Sequence, residues 1–243
     1  SYSGCRQYRE NLADAVAEVD RAPRLDKLRH YFDHPGFVTA NADALAEAWS
    51  RVPADQRDGA VVAFVTHSIP TAMEDTAGPD GGAYTAQHLA AADAIVADLR
   101  TRGIDVGEAD LVFCSRSGPP HVPWLEPDVN DYLTEAHDKG TPAVVLAPIG
   151  FVSDHMEVVF DLDTEAAETA ADLGLRLERA GTAGTHPAFV SAVADLLLER
   201  AAVERGQAPT RAAASPLGPS HDVCPAGCCR NLRQERPALC GRD

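Results

Sequence analysis

Short apolar runs alternate with longer stretches of helical periodicity along most of the chain. Strands are predicted at 59–66, 110–115 and 142–149, with weaker candidates at 24–30 and 174–179. Helices are predicted at 6–20, 38–51, 82–102, 127–138, 155–173 and 187–205. This alternation is typical of βαβ units and a parallel sheet. Because the three strong strands are apolar throughout, we expect the sheet to be covered on both faces.

The composition changes after Arg205. Residues 206–222 are rich in Gly, Pro, Ala and Ser, which is typical of a flexible linker. Four of the six cysteines follow, crowded into the last twenty residues. The sequence therefore predicts a separate small module after the linker.

Size and charge limit the classes of function. The 243 residues, 45% of them hydrophobic, are enough for one large domain or two modest ones. A formal net charge of −16 argues against a nucleic-acid surface and favours small or cationic partners. The sequence shows neither an apolar run of membrane-spanning length nor a signal-peptide pattern, so we predict a cytoplasmic protein. The chain begins at Ser1 without a Met, and we expect an N-terminal piece to be missing.

Polar and aromatic side chains follow each strong strand. His67 follows the first strand; Arg116, His121 and Trp124 follow the second. The third runs into "PIGFVSDHMEVVFDLD" at 148–163. Ligands of open parallel sheets bind beyond the carboxyl ends of the strands, so we expect these residues to face one crevice. Two simpler interpretations stay open, in which His67 is an ordinary loop residue and Trp124 plugs a domain edge.

The stretch after the third strand carries a ladder of acids. Glu157, Asp161 and Glu165 are spaced to share one side of a helix. In one interpretation they form a solvated face, with Asp154 as the N-cap and Glu157 at the third helical position of a capping box. In the other they conduct a divalent cation or protons. Like charges four residues apart destabilise a helix by roughly 0.2 to 0.5 kcal/mol per pair. The protein therefore either tolerates this small cost or uses the row of acids for a function.

Three segments together carry a family resemblance. "FVTHSIP", "SRSGPPHVPWLEPDV" and "PIGFVSDHMEVVFDLD", in this order, resemble the ferrochelatases, lyases that insert ferrous iron into a porphyrin. The resemblance runs from about Ser1 to Val203. It implies a chelatase-like α/β fold of two doubly wound parallel-sheet halves, with the first half truncated here. The implied divisions are 1–52 (rest of the first half), 53–205 (second half, with the metal-insertion site) and 206–243 (linker and cysteine-rich tail).

The resemblance also implies roles for single residues. His67 matches the histidine that binds the metal or takes a pyrrole proton, and Glu157 its partner carboxylate across the macrocycle. Asp161 and Glu165 match an acidic metal path along a locally widened helix, and Asp154 with His155 the polar turn that supports the site. Trp124 matches an aromatic at the cleft lip. Arg116 falls where some members have Lys, a position from which a role toward the propionates is one option.

These residue types suit the implied reaction. A free-base porphyrin loses two N–H protons and gains a dication, which calls for an imidazole that is neutral near pH 7 and a carboxylate proton acceptor. Imidazole also suits Fe(II), whereas carboxylates bind divalent ions weakly enough to release them.

The cysteines receive an interpretation from the same resemblance. Some ferrochelatases carry a [2Fe-2S] cluster, which here would take four of the five thiols of Cys5, Cys224, Cys228, Cys229 and Cys240. A structural zinc ion is the alternative. Cys114 lies within a predicted strand and is expected in the core.

Several functions stay open at this point. For an actinobacterial source the resemblance implies coproporphyrin III as substrate, with protoporphyrin IX second. The expected partners are the porphyrin, ferrous iron and neighbouring enzymes of haem biosynthesis. The alternatives are an iron-sulfur or haem-binding sensor on an inactive chelatase fold, and a cobalt or nickel chelatase of the sirohydrochlorin type.

Overall fold

A computed structural model describes residues 1–239, and a parallel four-stranded sheet forms the centre of this part of the chain. The strands are β1 (Val61–His67), β2 (Glu108–Cys114), β3 (Ala143–Ala147) and β4 (Arg176–Arg179), in the order β2-β1-β3-β4. The three strong strand predictions and the weak one at 174–179 are confirmed. The prediction at 24–30 is wrong: this stretch has no regular structure, because its charged side chains bind other segments instead of a strand partner.

Helices connect the strands close to their predicted positions. They are α1 (Gln7–Ala17), α2 (Pro35–Arg51), α3 (Thr71–Glu74), α4 (Ala83–Thr101), α5 (Val129–Asp138), α6 (Met156–Phe160), α7 (Ala167–Leu173) and α8 (Pro187–Glu204). A 3₁₀ turn spans Ala54–Gln56, and π-helical segments span Tyr2–Arg6 and Asp161–Ala166. The helix predicted at 155–173 is therefore three joined pieces, with a π-helix between α6 and α7. No helix in residues 1–239 is long and apolar enough to cross a bilayer.

Both faces of the sheet are covered, as the apolar strands predicted. Val62 and Phe64 of β1 pack with α2, α4 and α8 on one face. Ala63 and Val65 pack with α5, α6 and α7 on the other. The first half of the edge strand β2 is exposed, and this is the exception to two-sided burial.

The strand order creates a switch point between β1 and β3. After β1 the chain crosses to β2 on one side, whereas after β3 it crosses to β4 on the other. The connection after β1 runs through α4 on one face and that after β3 through α6 on the opposite face. Such a divergence opens a crevice beyond the carboxyl ends of the two strands, where open α/β sheets bind ligands. His67 and the 148–157 connection lie there.

The tail follows a fixed path along the body of the protein. Ala214 N donates to Asp33 O at 2.7 Å, and His30 N donates to Ser220 Oγ at 2.8 Å. Further along, Cys229 N donates to Gly78 O at 3.3 Å. The body therefore binds the backbone of the segment that composition predicted to be a flexible linker. The separate module and the division of the chain at 52 and 205 stay predictions.

A buried ion network joins the tail to α8. Arg29 donates to Glu199 at 2.7 and 3.1 Å and to Ala212 O at 2.8 Å. Arg211 donates to Glu199 at 3.0 Å, and Asp33 lies 3.9 Å from Arg29. Burial acts to raise the pKa of Glu199, but the hydrogen bonds from Arg29 and Arg211 outweigh it, so the pKa is lowered. Glu199 is therefore held as a carboxylate.

Candidate active site

His67 and Glu157 meet at the switch point. His67 ends β1, Glu157 lies in the first turn of α6, and His67 Nε2 is 3.1 Å from Glu157 Oε1. The side chains are 36% and 43% exposed, so the pair is open to solvent. His67 Nδ1 donates to Ser68 O, because a carbonyl oxygen can only accept. Nε2 is thereby left to face the Glu157 carboxylate, and this contact is a hydrogen bond when one of the two groups carries a proton.

The direct contact bears on one expectation from the sequence. Glu157 was expected across the macrocycle from His67. A flat ring between the two would need about 7 Å, twice a van der Waals contact of roughly 3.5 Å. The two side chains are 3.1 Å apart as they stand, and the placement of Glu157 across the ring stays a prediction.

The start of α6 differs from the capping box that the sequence suggested. His155 is the N-cap residue and makes no side-chain capping bond; its ring packs edge-on against Phe151 at 5.4 Å. Asp154 instead accepts from Arg179 at 2.7 Å, and Arg179 also donates to Asp163 at 2.7 Å. The capping box is wrong because Arg179 binds Asp154 and His67 binds Glu157. Asp154 thus fixes the turn before α6 to β4.

The acidic ladder is bent by the π-helix. Asp161 opens the π segment and accepts from Ser115 Oγ. Ser115 directly follows β2 and has φ +62°, a left-handed conformation that costs energy for any residue but glycine. Glu165 lies exposed at the far side of the segment. Hydrogen bonds in a π-helix run from i to i+5, so Glu157, Asp161 and Glu165 do not lie on one face of a regular α-helix as their spacing predicted. Glu165 is more exposed than Asp161.

Cys114 lies beside the pair as a buried thiol. It is in register with His67 on the neighbouring strand. Burial raises its pKa to about 12, and the charges of Asp161 and Glu157 act in the same direction. Cys114 is therefore a neutral core residue, which confirms the prediction for it.

A network that the sequence did not reveal supports β1 from behind. Tyr84 OH donates to His67 O at 2.7 Å and lies 2.8 Å from Thr66 Oγ1. His88 Nε2 lies 3.0 Å from the same hydroxyl, and its Nδ1 lies 2.7 Å from Tyr84 O. Burial raises the pKa of Tyr84 to about 12 and lowers that of His88. Both residues lie within α4 and not at a strand end, so the only signal was their spacing of one helical turn.

A cavity of about 260 Å³ opens beside this network. Its walls come from the π segment Tyr2–Arg6, the stretch before α2, and α4; they include Cys5, His30, Tyr31, Phe37, Tyr84 and His88. Burial lowers the pKa of His30 to about 4. The cavity is thus lined by aromatic rings and neutral imidazoles.

We expect His88 to make the fold less stable in mild acid. Burial holds its folded pKa below the ordinary imidazole value of 6.5, so below pH 6.5 the unfolded chain takes up a proton that the folded chain does not. The stabilisation is present above this pH and is lost as the pH falls below it. Urea unfolding at pH 7.5 and 5.5 should show a smaller loss of stability in His88→Gln than in the wild type. His137→Gln, an exposed imidazole on α5, is the control, and an equal loss in both variants would contradict the prediction.

Gly150 allows the loop after β3 to reach β1. Gly150 N donates to Val65 O at 3.1 Å, and a Cβ at this position would lie 2.1 Å from Thr66 Oγ1. Gly150→Ala should lower the free energy of unfolding by about 1 to 3 kcal/mol through overpacking. It should also displace the loop that carries Glu157 and so slow any reaction at the pair. Gly181→Ala is the control, since a Cβ there meets nothing within 4 Å; equal stability of the two variants would refute the close-approach role.

The other predicted site residues lie in the loop after β2. Arg116 is exposed and donates to Pro120 O and Val122 O at 3.2 and 3.3 Å. Trp124 forms an antiparallel bridge with Pro70, next to the segment that follows His67. His121 is exposed. The structure therefore brings the backbone of Trp124 next to the loop that follows His67, whereas Arg116 hydrogen-bonds to carbonyl groups of its own loop.

The comparison with known families agrees with this geometry. A family model described as ferrochelatase matches residues 1–201. The chain belongs to the ferrochelatase family.

Named ferrochelatases match over nearly the whole of this chain. The coproporphyrin III ferrochelatase of Streptomyces coelicolor is 55% identical and that of Streptomyces griseus 54%, each over 100% of this chain and 67% of the relative. That of Nocardia farcinica is 47% identical over 99% of this chain and 68% of the relative. This ferrochelatase chain therefore spans about two thirds of the length of these relatives.

Solved chelatases share the fold of this ferrochelatase. The structure described as SirB from Bacillus subtilis with Fe3+ matches with a TM-score of 0.50 at 15% identity, over 85% of this chain and 69% of that one. At this identity the likeness concerns the fold alone. The chelatase-like α/β architecture is thus confirmed.

A second candidate site of the ferrochelatase is a pocket of thiols. Cys224, Cys228 and Cys229 are buried together, with 3.7 Å between the sulfurs of Cys228 and Cys229. A hydrogen bond with Cys224 raises the pKa of Cys5, which places Cys5 at the same pocket. Gly78 N donates to Cys229 Sγ at 3.2 Å, as for a thiolate acceptor. Cys240 lies outside the described residues.

Proposed function

We propose that this chain inserts ferrous iron into coproporphyrin III in haem biosynthesis, with His67 and Glu157 as the reacting pair. The observation that carries the proposal is the 3.1 Å contact between His67 Nε2 and Glu157 Oε1 at the switch point of the sheet. The similarity to two Streptomyces proteins named coproporphyrin III ferrochelatase supports coproporphyrin III as the acceptor. Protoporphyrin IX is the competing acceptor.

The chemistry requires proton acceptors on the ring face that receives the metal. Fe²⁺ replaces the two N–H protons of the free-base porphyrin, so two protons leave for each ion inserted. His67 Nε2 and Glu157 are the groups that we assign to take them, because they lie together and open to solvent. The same donor set, one imidazole and one carboxylate, suits a transient contact with Fe²⁺.

Asp161 and Glu165 are the continuation of this path. Asp161 is half-buried and oriented by Ser115, and Glu165 is exposed. Carboxylates of rising exposure can pass protons outward or ferrous ions inward. Asp154 and His155 have a supporting role in this proposal, through the ion pair with Arg179 and the packing on Phe151.

Trp124 and Arg116 are the proposed contacts to the macrocycle. Trp124 lies half-buried on the loop bridged to Pro70, next to the segment that follows His67, and we assign it to the edge of the macrocycle. Arg116 is exposed and cationic, and a shift of its loop bonds would free the guanidinium for a propionate.

The thiol pocket fits a [2Fe-2S] cluster. Such a cluster takes four thiolates, and Cys5, Cys224, Cys228 and Cys229 converge from the two ends of the described chain. Burial acts to lower the pKa of Arg9, but the charges of Cys5 and Cys224 and the hydrogen bonds to both outweigh it, so the pKa is raised. This guanidinium would offset the charge of the thiolates. When bound, the cluster would supply four sulfur-iron bonds and a one-electron couple. The alternative occupant is a structural zinc ion.

The proposed compartment is the cytoplasm, where a reducing environment keeps such thiols free for metal. The five cysteines in residues 1–239 are free thiols. Neighbouring enzymes of haem biosynthesis are the proposed partners, since porphyrin and haem are poorly soluble apolar rings that gain from direct transfer.

Anaerobic metal insertion tests the main proposal. The purified protein is mixed with Fe²⁺ and either coproporphyrin III or protoporphyrin IX, and the haem absorption bands are followed. We expect insertion into both rings, faster for coproporphyrin III. A faster reaction with protoporphyrin IX would overturn the substrate assignment. Porphyrin binding without any insertion would favour a sensor on an inactive chelatase fold.

Visible absorption tests the cluster. Protein purified anaerobically should show iron-sulfur bands, with two iron and two sulfide per chain. Cys5→Ser should lose them, while the core substitution Cys114→Ser should keep them. A colourless protein that contains zinc would disprove the cluster.

A further inference from the structure

The thiol pocket contains an imidazole that a four-cysteine cluster does not use. A ring nitrogen of His221 and the sulfurs of Cys224 and Cys228 lie within 4.8 Å of one another. In a tetrahedral zinc site, with Zn–S about 2.3 Å and Zn–N about 2.0 Å, donor atoms lie roughly 3.5 to 3.8 Å apart. The three donors are therefore close to the spacing of one metal ion.

The backbone around His221 is anchored to the body of the protein. Lys27 Nζ donates to His221 O at 3.1 Å. On either side, Arg211 donates to Ser220 O at 2.8 Å and to Asp222 at 3.0 Å. The imidazole thus projects from a fixed segment, and its proximity to the two buried thiols is built into the fold.

We propose that His221, Cys224 and Cys228 bind a single Zn²⁺-type cation when the pocket holds no cluster. A mixed set of imidazole and thiolates is the ligand type of tetrahedral zinc sites. Cys5 hydrogen-bonds with Cys224 but is not one of the three donors that lie within 4.8 Å of one another. The site needs Cys224 and Cys228, which the proposed cluster also uses, so the two occupants exclude each other. The proposal shares this pocket with the cluster and does not depend on iron insertion.

Cobalt titration tests the site. Cluster-free protein is prepared anaerobically with a chelator, and Co²⁺ is added as a spectroscopic probe, followed by Zn²⁺ to displace it. We expect one Co²⁺ per chain with the visible bands of a tetrahedral thiolate site. His221→Ala should weaken Co²⁺ binding by more than the roughly 10- to 100-fold typical of second-shell changes. His221→Cys, which restores a donor, should recover it, and His137→Ala on the exposed face of α5 should not change it.

Cluster reconstitution in the same variants separates the two proposals. His221→Ala keeps all the cysteines and should form the cluster as the wild type does. Co²⁺ binding that is equal in His221→Ala and wild type would overturn the proposal, and so would Co²⁺ binding to cluster-loaded protein at full stoichiometry. Wild type that binds Co²⁺ through His221 but forms no cluster would support this site and refute the cluster.

Discussion

Glu157→Gln is expected to slow iron insertion by about 10²- to 10⁴-fold, the range that a positioned acid or base contributes. The amide cannot take a proton from the ring, and it leaves His67 Nε2 without its negative partner, 3.1 Å away. Porphyrin binding should persist, because the change is isosteric. The measurement is the initial rate of haem formation under anaerobic conditions, beside the quenching of porphyrin fluorescence as the readout of binding.

Two further variants make this prediction sharp. His67→Ala should lose insertion to a similar extent and still quench porphyrin fluorescence. Glu168→Gln, an exposed acid on α7 outside the ladder, should retain the wild-type rate. A normal rate in Glu157→Gln would show that the pair at the switch point is not where the ring loses its protons.

Arg29→Ala is expected to destabilise the protein by about 3 to 5 kcal/mol, the cost of leaving a buried charge without its partner. Arg29 and Glu199 are 1% and 8% exposed, and Asp33 beside them is fully buried. The loss also removes the hydrogen bond to Ala212 O, which holds the tail. Urea unfolding should show a lower midpoint with an unchanged slope.

An exposed arginine in the same region is the control for Arg29. Arg24 forms ion pairs with Asp26 and Glu204, but its side chain is 66% exposed. Arg24→Ala should leave the unfolding midpoint nearly unchanged, since solvent screens such pairs. If the two variants unfolded at the same urea concentration, burial of the Arg29 network would not be what stabilises this region.

The sheet and its helices could be predicted from the sequence because their signals are local. The strands at 59–66 and 142–149 are apolar runs too short for helices, and burial on both faces follows from their composition. The strand prediction at 24–30 is wrong because of contacts that are distant in sequence. Its charged residues bind Glu199 and the tail, partners distant in sequence that no local pattern reveals.

The candidate site was partly predictable for a similar reason. His67, Glu157 and Asp161 follow strand ends, and parallel strands bring their carboxyl ends together. The contact between His67 and Glu157 requires the loop after β3 to lie close to β1. Gly150 allows this close approach because a Cβ there would collide with Thr66. Tyr84 and His88 were missed because they act on β1 from within a helix.

The tail shows how composition alone misleads. Gly, Pro, Ala and Ser favour an open chain, but Asp33, His30 and Gly78 supply fixed backbone partners along 214–229. Asn231 adds a hydrogen bond to the buried Glu10 of α1 at 3.0 Å. Such a segment is ordered by the surface it crosses and not by its own propensities.

The contact between Cys5 and Cys224 has a consequence for biosynthesis. Within the described residues the ribosome makes Cys5 early and Cys224 late, and domains generally fold as they emerge. The sheet can form while the last segment is still in the exit tunnel, whereas the thiol pocket cannot exist until that segment is released. The pocket is therefore completed only after nearly all of the described residues have been translated.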